Sequence, residues 1–493
     1  MRHWIIAAVA LIALGLGLWV VTAPRAGLQI DHLNAGQTPV TVMRQADATG
    51  PVVVIAHGFA GSRQLMAAWQ LTLAQAGYIT ASFDFEGHGR NPVPMSGDVT
   101  SIDGTTRLLM EELGRVTDLA TDLPGAAPRV ALLGHSMASD VVVRQSLVDP
   151  RVEAVVAVSL FSEAVTAEAP RNLLILNGAW EGMLRAEAER VMGEVGGAEG
   201  ETVGVPGREE LARRAVAVPF VEHVGVLYAP TGPREALVWL NATFDLDRAA
   251  APVHLGPGIL IMLFGAVLLA MPLARLMPEG PAPWHPSLRV FLALAILPAI
   301  VTPLVLSLFE TRVLPVLVAD YLALHLALYG ALVLVGAIWA GGRPRLSGWV
   351  WGLGLAAFGL LLFGGLMDRY VASFYPHAGR WAVMAFILPG AVLAMMGDAV
   401  LLEATRAALW RRILARGAFL GSLGIAVALD FERLFFLIII LPVIALFYAS
   451  FGMMGRWVGR RTGSVVAMGL GLGIILGWAL GVTFPMFDPG AGA

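Results

Sequence analysis

From Leu255 onward the chain repeats one pattern, a long apolar stretch followed by a short polar or arginine-bearing break. The stretches run approximately over 256–276, 289–309, 313–339, 347–367, 381–402, 413–430, 434–453 and 464–485, and another, Trp4 to Val21, follows Arg2. At about 1.5 Å per helical residue each approaches the roughly 30 Å of a bilayer's hydrocarbon core. Within lipid only a helix or a closed barrel satisfies every backbone N–H and C=O, so runs of this length read as membrane-spanning helices. The expectation is an N-terminal anchor over 1–24 and an all-α polytopic bundle of about eight spans over 255–487. The segment 413–430, short and Gly-rich, is the weakest of them. Composition agrees: 57% of residues are hydrophobic and 14% charged, where soluble chains carry about a quarter charged. The apolar run of the anchor exceeds a usual signal-peptide core, and Pro24 directly follows the cleavage-like Val21-Thr22-Ala23, so it reads as uncleaved.

Arginine placement orients the spans, because short cytoplasmic loops concentrate positive charge. With the N-terminus inside, the inner loops hold Arg275, Arg289, Arg343, Arg345, Arg406, Arg411, Arg412, Arg416, Arg456, Arg460 and Arg461, whereas the short outer loops hold only Arg312, Arg369, Arg380 and Arg433. Nine spans then leave residues 28–247 on the non-cytoplasmic side. The chain contains neither lysine nor cysteine, so no disulfide can form. A composition rich in Ala, Gly, Leu and Arg suggests a bacterial source and hence an inner-membrane protein. Its net charge of −3 and the lack of a long basic run in residues 28–247 argue against a nucleic-acid partner. Inside the spans, Asp320 and His325 are ionisable groups deep enough to require a partner or a wet cavity.

Residues 28–247 read differently. Val52 to Ala56 is a β-branched run of the kind a buried parallel strand shows, and it ends in His57-Gly58-Phe59-Ala60-Gly61-Ser62. A second strand, Tyr78 to Phe83, runs into Asp84-Phe85-Glu86-Gly87-His88-Gly89. A third, Val130 to Leu133, leads into Gly134-His135-Ser136-Met137-Ala138, where small residues two before and two after the serine allow a sharp strand-to-helix turn. Val152 to Leu160, Leu173 to Gly178 and Val216 to Val221 read as further strands, and Pro233 to Phe244 as a helix.

The glycine bend after the first strand, the Asp84 to Gly89 turn and the serine elbow, in this order, closely resemble the α/β-hydrolase superfamily, in its lipase, esterase and peptidase branches. The resemblance implies a mostly parallel sheet flanked by helices, with no room for a large cap between Ser136 and Glu181. It implies Ser136 as nucleophile, His223 as general base, and Phe59 and Met137 as backbone N–H donors of an oxyanion hole. Glu181, three residues beyond Gly178, takes the acid position, with Glu163 as the alternative. A carboxylate fixes the imidazole's tautomer, and the imidazole takes the serine's proton. No cofactor is implied. His57 and His88, beside Asp84 and Glu86, lack the further histidine or cysteine of a metal site and read as structural. The acidic stretch Gly193 to Arg208 reads as a flexible loop, either lid or spacer.

Together these features describe a membrane-tethered serine hydrolase acting on an ester, thioester or amide of a lipid or amphipathic acyl substrate. Two alternatives stay open: a transporter or channel with a hydrolase-like gating or binding domain, and a membrane acyltransferase using the same serine.

Overall fold

The computed structural model describes residues 2–98, 102–309, 313–342 and 347–488; Arg312, Arg343 and Arg345 lie outside the described residues. The chain divides into two compact units.

One unit comprises Gly17–Leu260 together with two segments from far downstream, Asp368–Ser373 and residues from Pro485 on. It is thus larger than the expected 28–247. Its sheet contains β1 (Leu28–Ala35), β2 (Thr38–Gln45), β3 (Gly50–Ala56), β4 (Ile79–Phe83), β5 (Ala126–His135), β6 (Val152–Val158), β7 (Asn172–Gly178), β8 (Thr202–Val203) and β9 (Ala212–Val218). They lie in the order β1-β2-β4-β3-β5-β6-β7-β9-β8. The six strands from β4 to β9 in that order are parallel, while β1, β2 and β8 pair antiparallel at the two edges. This is an α/β-hydrolase fold. β3, β4, β6 and β7 are buried nearly throughout, which explains their continuous apolar runs: helices cover both faces of a parallel sheet.

Three local expectations change. The hairpin β1–β2 precedes the first expected strand; β1 alternates between exposed and half-buried residues, with the alternation broken at Asp31. The last long strand begins at Ala212 and ends at Val218, because Pro219 follows and Phe220 turns with φ +61°. The stretch Gly193 to Arg208 is not a free loop. It supplies β8 and is tied down by Gly200 N–H to Ala215 O at 2.8 Å, Gly207 N–H to Asn172 Oδ1 at 3.1 Å and Arg185 to Glu199 at 2.6 Å. Glu194 and Glu199 pair with arginines and Glu201 accepts from the Ala198 N–H, so the stretch is an edge of the sheet and not a lid.

The two downstream segments line the loops that follow β3 and β4. Ser373 N–H donates to Ser62 Oγ at 3.1 Å, and Gln64 Nε2 donates to the Asp368 carbonyl at 3.0 Å. Met95 N–H donates to Met486 O at 2.8 Å, Met486 N–H to Gly87 O at 2.9 Å and Asp488 N–H to Met95 O at 2.8 Å. Gly87 has φ +76°, and a Cβ there would fall 2.5 Å from the Met486 carbonyl. The buried Phe487 ring lies 6.4 Å from that of Phe59.

The other unit, Met1–Leu16, Ile261–Met367 and Phe374–Phe484, is helical. Among the described residues the chain has nine helices long and apolar enough to cross a membrane: His3–Arg25, Gly256–Ala274, Leu288–Leu306, Ala319–Trp339, Trp349–Tyr370, Ala378–Leu401, Leu409–Leu429, Leu437–Thr462 and Val465–Thr483. The weakest expected span, 413–430, is a full 21-residue helix, and the next is extended to 26 residues. The helix Val465–Thr483 carries Gly469, Gly473, Gly477 and Gly481 along one face, packed on Met396, Val392, Leu388 and Met384 of the helix Trp381–Leu401. Both series repeat every fourth residue, so bare backbone on one helix meets a ridge of side chains on the other. Asp320 and His325 have protein partners. Asp320 accepts from the backbone of Val313 and Leu314, and His325 bonds Tyr321 Oη at 3.2 Å and Ser422 Oγ at 3.1 Å.

Candidate active site

β5 ends at His135 and the helix Met137–Val148 starts two residues later, leaving Ser136 alone at the junction with φ +54° and ψ −120°. A serine rarely adopts this left-handed conformation, and the surroundings hold it there. Ser136 N–H donates to Val158 O on the neighbouring strand at 2.9 Å. The tight turn demands little bulk: a Cβ on Gly134 would meet the Ala138 carbonyl at 2.4 Å. Ala138, fully buried, is small enough for the same reason.

The structure brings Ser136, His223 and Glu181 into one line. His223 Nε2 lies 2.9 Å from Ser136 Oγ, and its Nδ1 lies 2.6 Å from Glu181 Oε1. Glu181 Oε2 accepts from Ser159 Oγ at 2.9 Å and from Gly178 N–H at 2.5 Å. Burial alone would raise the carboxyl's pKa, but the bonds from His223, Gly178 and Ser159 together hold it below its usual range. Glu181 therefore carries a charge toward which an imidazole N–H can point. Glu163 is exposed, on the loop after β6.

Strand order explains the convergence. β3 and β5 are neighbours at the point where the sheet's winding reverses, and loops leaving the carboxyl ends of such strands diverge to open a crevice. Gly58 sits against the serine, since a Cβ on it would fall 2.9 Å from Ser136 Cβ. Phe59 follows directly, and Met137 is the first residue of its helix, among the N–H groups that have no partner within the helix.

Further residues complete the surroundings, His135 and Ser159 among them without a role read from the sequence. His135 Nε2 lies 2.9 Å from the His223 carbonyl; burial, aided by nearby His223, pushes its pKa down to about 4, so it is a neutral donor that fixes the loop carrying His223. Its place in Gly134-His135-Ser136 was the available signal. Ser159, with φ +56°, had no signal, because its partner Glu181 lies on another strand's loop. His57 is fully buried, with Nδ1 2.7 Å from Gly58 O and Nε2 accepting from Phe85 N–H at 3.1 Å. It ties the glycine bend to the end of β4. Asp84 accepts from the Arg63 and Arg90 backbone N–H groups. No group of three or more His, Cys, Asp or Glu residues among the described residues is arranged to hold a metal ion.

Exposed apolar side chains share the loops that carry Ser159, Glu181 and His223. Phe161 follows β6, Trp180 and Met183 follow β7, and Phe220 and Val224 follow β9; all five are between 49% and 87% exposed. They stand at the carboxyl ends of three adjacent strands, the edge that bears His223 and Glu181.

Residues 47–180 match the family described as serine aminopeptidase, S33. The fold that contains this match is that of the α/β hydrolases. No curated protein matches the chain. Among solved structures, the chain is similar to a hypothetical protein of Pseudomonas aeruginosa (13% identity, 44% of this chain and 94% of that one, TM-score 0.34). A dienelactone hydrolase of Anabaena variabilis is similar at 17% identity, over 44% of this chain and 97% of that one, with TM-score 0.31. A mutant epoxide hydrolase of Vigna radiata shares 22% identity over 28% of this chain and 40% of its own, with TM-score 0.23.

Proposed function

We propose that the chain is a membrane-tethered serine hydrolase that cleaves an ester, thioester or amide bond of a lipid or amphipathic substrate through an acyl-enzyme. The observation that carries this reading is the hydrogen-bonded line from Ser136 Oγ through His223 to Glu181, at 2.9 Å and 2.6 Å. In the first half-reaction Ser136 Oγ attacks the substrate carbonyl carbon as His223 Nε2 takes the hydroxyl proton. Charge on the carbonyl oxygen is met by the N–H groups of Phe59 and Met137. The tetrahedral intermediate collapses, the leaving alcohol, thiol or amine departs with the proton from His223, and the acyl group stays on Ser136. Water then repeats the sequence, giving its proton to His223 and releasing the acid. Glu181 holds the imidazole in the tautomer that both halves need and stabilises the imidazolium formed in each.

The apolar rim of Phe161, Trp180, Met183, Phe220 and Val224 supports an amphipathic substrate. A small polar molecule gains nothing from five exposed apolar side chains, whereas an acyl chain buries them at about 25 cal/mol per Å². The apolar helices support membrane tethering, and the arginine bias supports an extracytoplasmic hydrolase. A fluorophosphonate probe tests the reading, because it reacts only with an activated serine. Labelling of the full-length protein should vanish in Ser136→Ala, while a series of acyl esters in liposomes should favour long chains over short ones. Undiminished labelling of the variant would remove Ser136 from its role, and a preference for short water-soluble esters would remove the lipid substrate.

A further inference from the structure

The helical unit contains a cavity of about 450 Å³ among three separate pieces of chain: the end of the helix Gly256–Ala274 and the residues after it, the turn after the helix Trp381–Leu401, and the last turns of the helix Leu437–Thr462. Arg275, Arg406, Arg456, Arg460 and Arg461 line it, against one acidic residue, Glu279. Two of the arginines serve the walls. Arg461 pairs with Glu279 and donates to the Met277 carbonyl, and Arg406 donates to the carbonyls of Gly280 and Arg460. Arg275, Arg456 and Arg460 make no ion pair among the described residues. Elsewhere in the same unit Arg411 pairs with Glu403, Arg416 with Asp398 and Arg433 with Asp430, while Arg289 and Arg412, like the three cavity arginines, make no ion pair among the described residues.

We propose that this cavity binds a phosphate-bearing anion. Arginine on short loops needs only to lie on one side of a membrane to orient the chain; nothing in that role requires five guanidinium groups from three segments to converge on one cavity. Like charges gathered in this way repel one another until an anion enters, and the planar guanidinium fork matches phosphate oxygens two at a time. Trp457 and Met271 form the apolar part of the wall. Trp457 stands near the end of its helix, indoles at the ends of spanning helices are typical of the headgroup level, and basic pockets between such helices are suited to anionic headgroups. The ligand chemistry is therefore a phosphate group, on a lipid or free. This site is independent of the hydrolase chemistry.

The test uses the full-length protein in neutral detergent micelles and follows its thermal midpoint. Phosphatidylglycerol should raise the midpoint along a saturable curve, phosphatidylcholine should not, and the double variant Arg456→Gln/Arg460→Gln should weaken the apparent affinity at least about tenfold. Arg289→Gln, an exposed arginine outside the cavity, should leave the curve unchanged. Inorganic phosphate that saturates the same response and competes with the lipid identifies a free anion; a response to the lipid alone identifies a headgroup, and either supports the site. If the double variant does not fold, Arg275→Gln replaces it with the same expectation. No saturable response to either anion, a response untouched by the cavity substitutions, or an equal loss in Arg289→Gln overturns the proposal.

Discussion

His223 is useful only while both ring nitrogens are engaged, one with Ser136 and the other with Glu181. Replacing it by alanine should lower turnover of an acyl ester by about 10⁴ or more, as loss of a catalytic-triad member does. Glu181→Gln should also be severe, because the amide can offer an N–H where an acceptor is required. Glu163→Gln should turn over at close to the wild-type rate. A steady-state comparison of the three variants checks the assignment, and a larger loss at Glu163 than at Glu181 would reverse it. Glu112 poses a different question. It is fully buried and accepts from Thr38 Oγ1 at 2.5 Å, Asn91 Nδ2 at 2.7 Å and Glu86 N–H at 2.8 Å. Burial outweighs these donors and pushes its pKa up to about 7. A carboxyl whose pKa rises on folding contributes stability below its unfolded pKa and loses it as pH rises through the folded value. That amounts to roughly 3 kcal/mol at about 1.4 kcal/mol per pH unit. Buried His57 and His135, with lowered values, slope the opposite way, so the informative quantity is a difference. The thermal midpoint of Glu112→Gln relative to wild type should move in the variant's favour between about pH 5 and about pH 8. A constant difference would mean that Glu112 does not titrate there.

At the scale of elements, the glycine face of the helix Val465–Thr483 makes a sharp prediction. A Cβ on Gly473 would lie 2.5 Å from the Val392 Cα, whereas one on Gly417 meets nothing within 4 Å. Gly473→Val should therefore lower the thermal midpoint or abolish folded yield, while Gly417→Ala should be neutral or raise the midpoint, alanine being the better helix former by about 1 kcal/mol. Equal tolerance at both positions would disprove the close packing. The same comparison marks what a sequence discloses. Apolar length alone announced the helices, and the small residues Gly134 and Ala138 beside Ser136 announced the elbow, because both signals are local. The partners of those elements are not local. Glu199 on the Gly193 to Arg208 stretch looked like a solvated charge until Arg185 was seen to reach it, and β1, at a sheet edge, alternates only between exposed and half-buried residues with a break at Asp31, so its periodic signal is weak. Ser159 reaches Glu181 across 22 residues of chain, a distance over which no motif reads.

For the whole molecule, the α/β-hydrolase unit is discontinuous in the chain. The loops after β3 and β4, one of which bears Phe59, are backed by Ser373, Asp368, Met486 and Phe487. A chain stopped after residue 260 should react with a fluorophosphonate more slowly than the full-length protein, and Phe487→Ala should slow it to a lesser degree while leaving Ser136 the labelled residue. Equal labelling rates in all three would show that the backing is dispensable. Met486 and Phe487 are synthesised after every one of the long apolar helices. The wall behind Phe59 can therefore close only after the helix Val465–Thr483 has been synthesised. On the proposed function, a nascent chain would carry its hydrolase without this backing while the helices are being made, and would reach its full rate only once Met486 and Phe487 have been added.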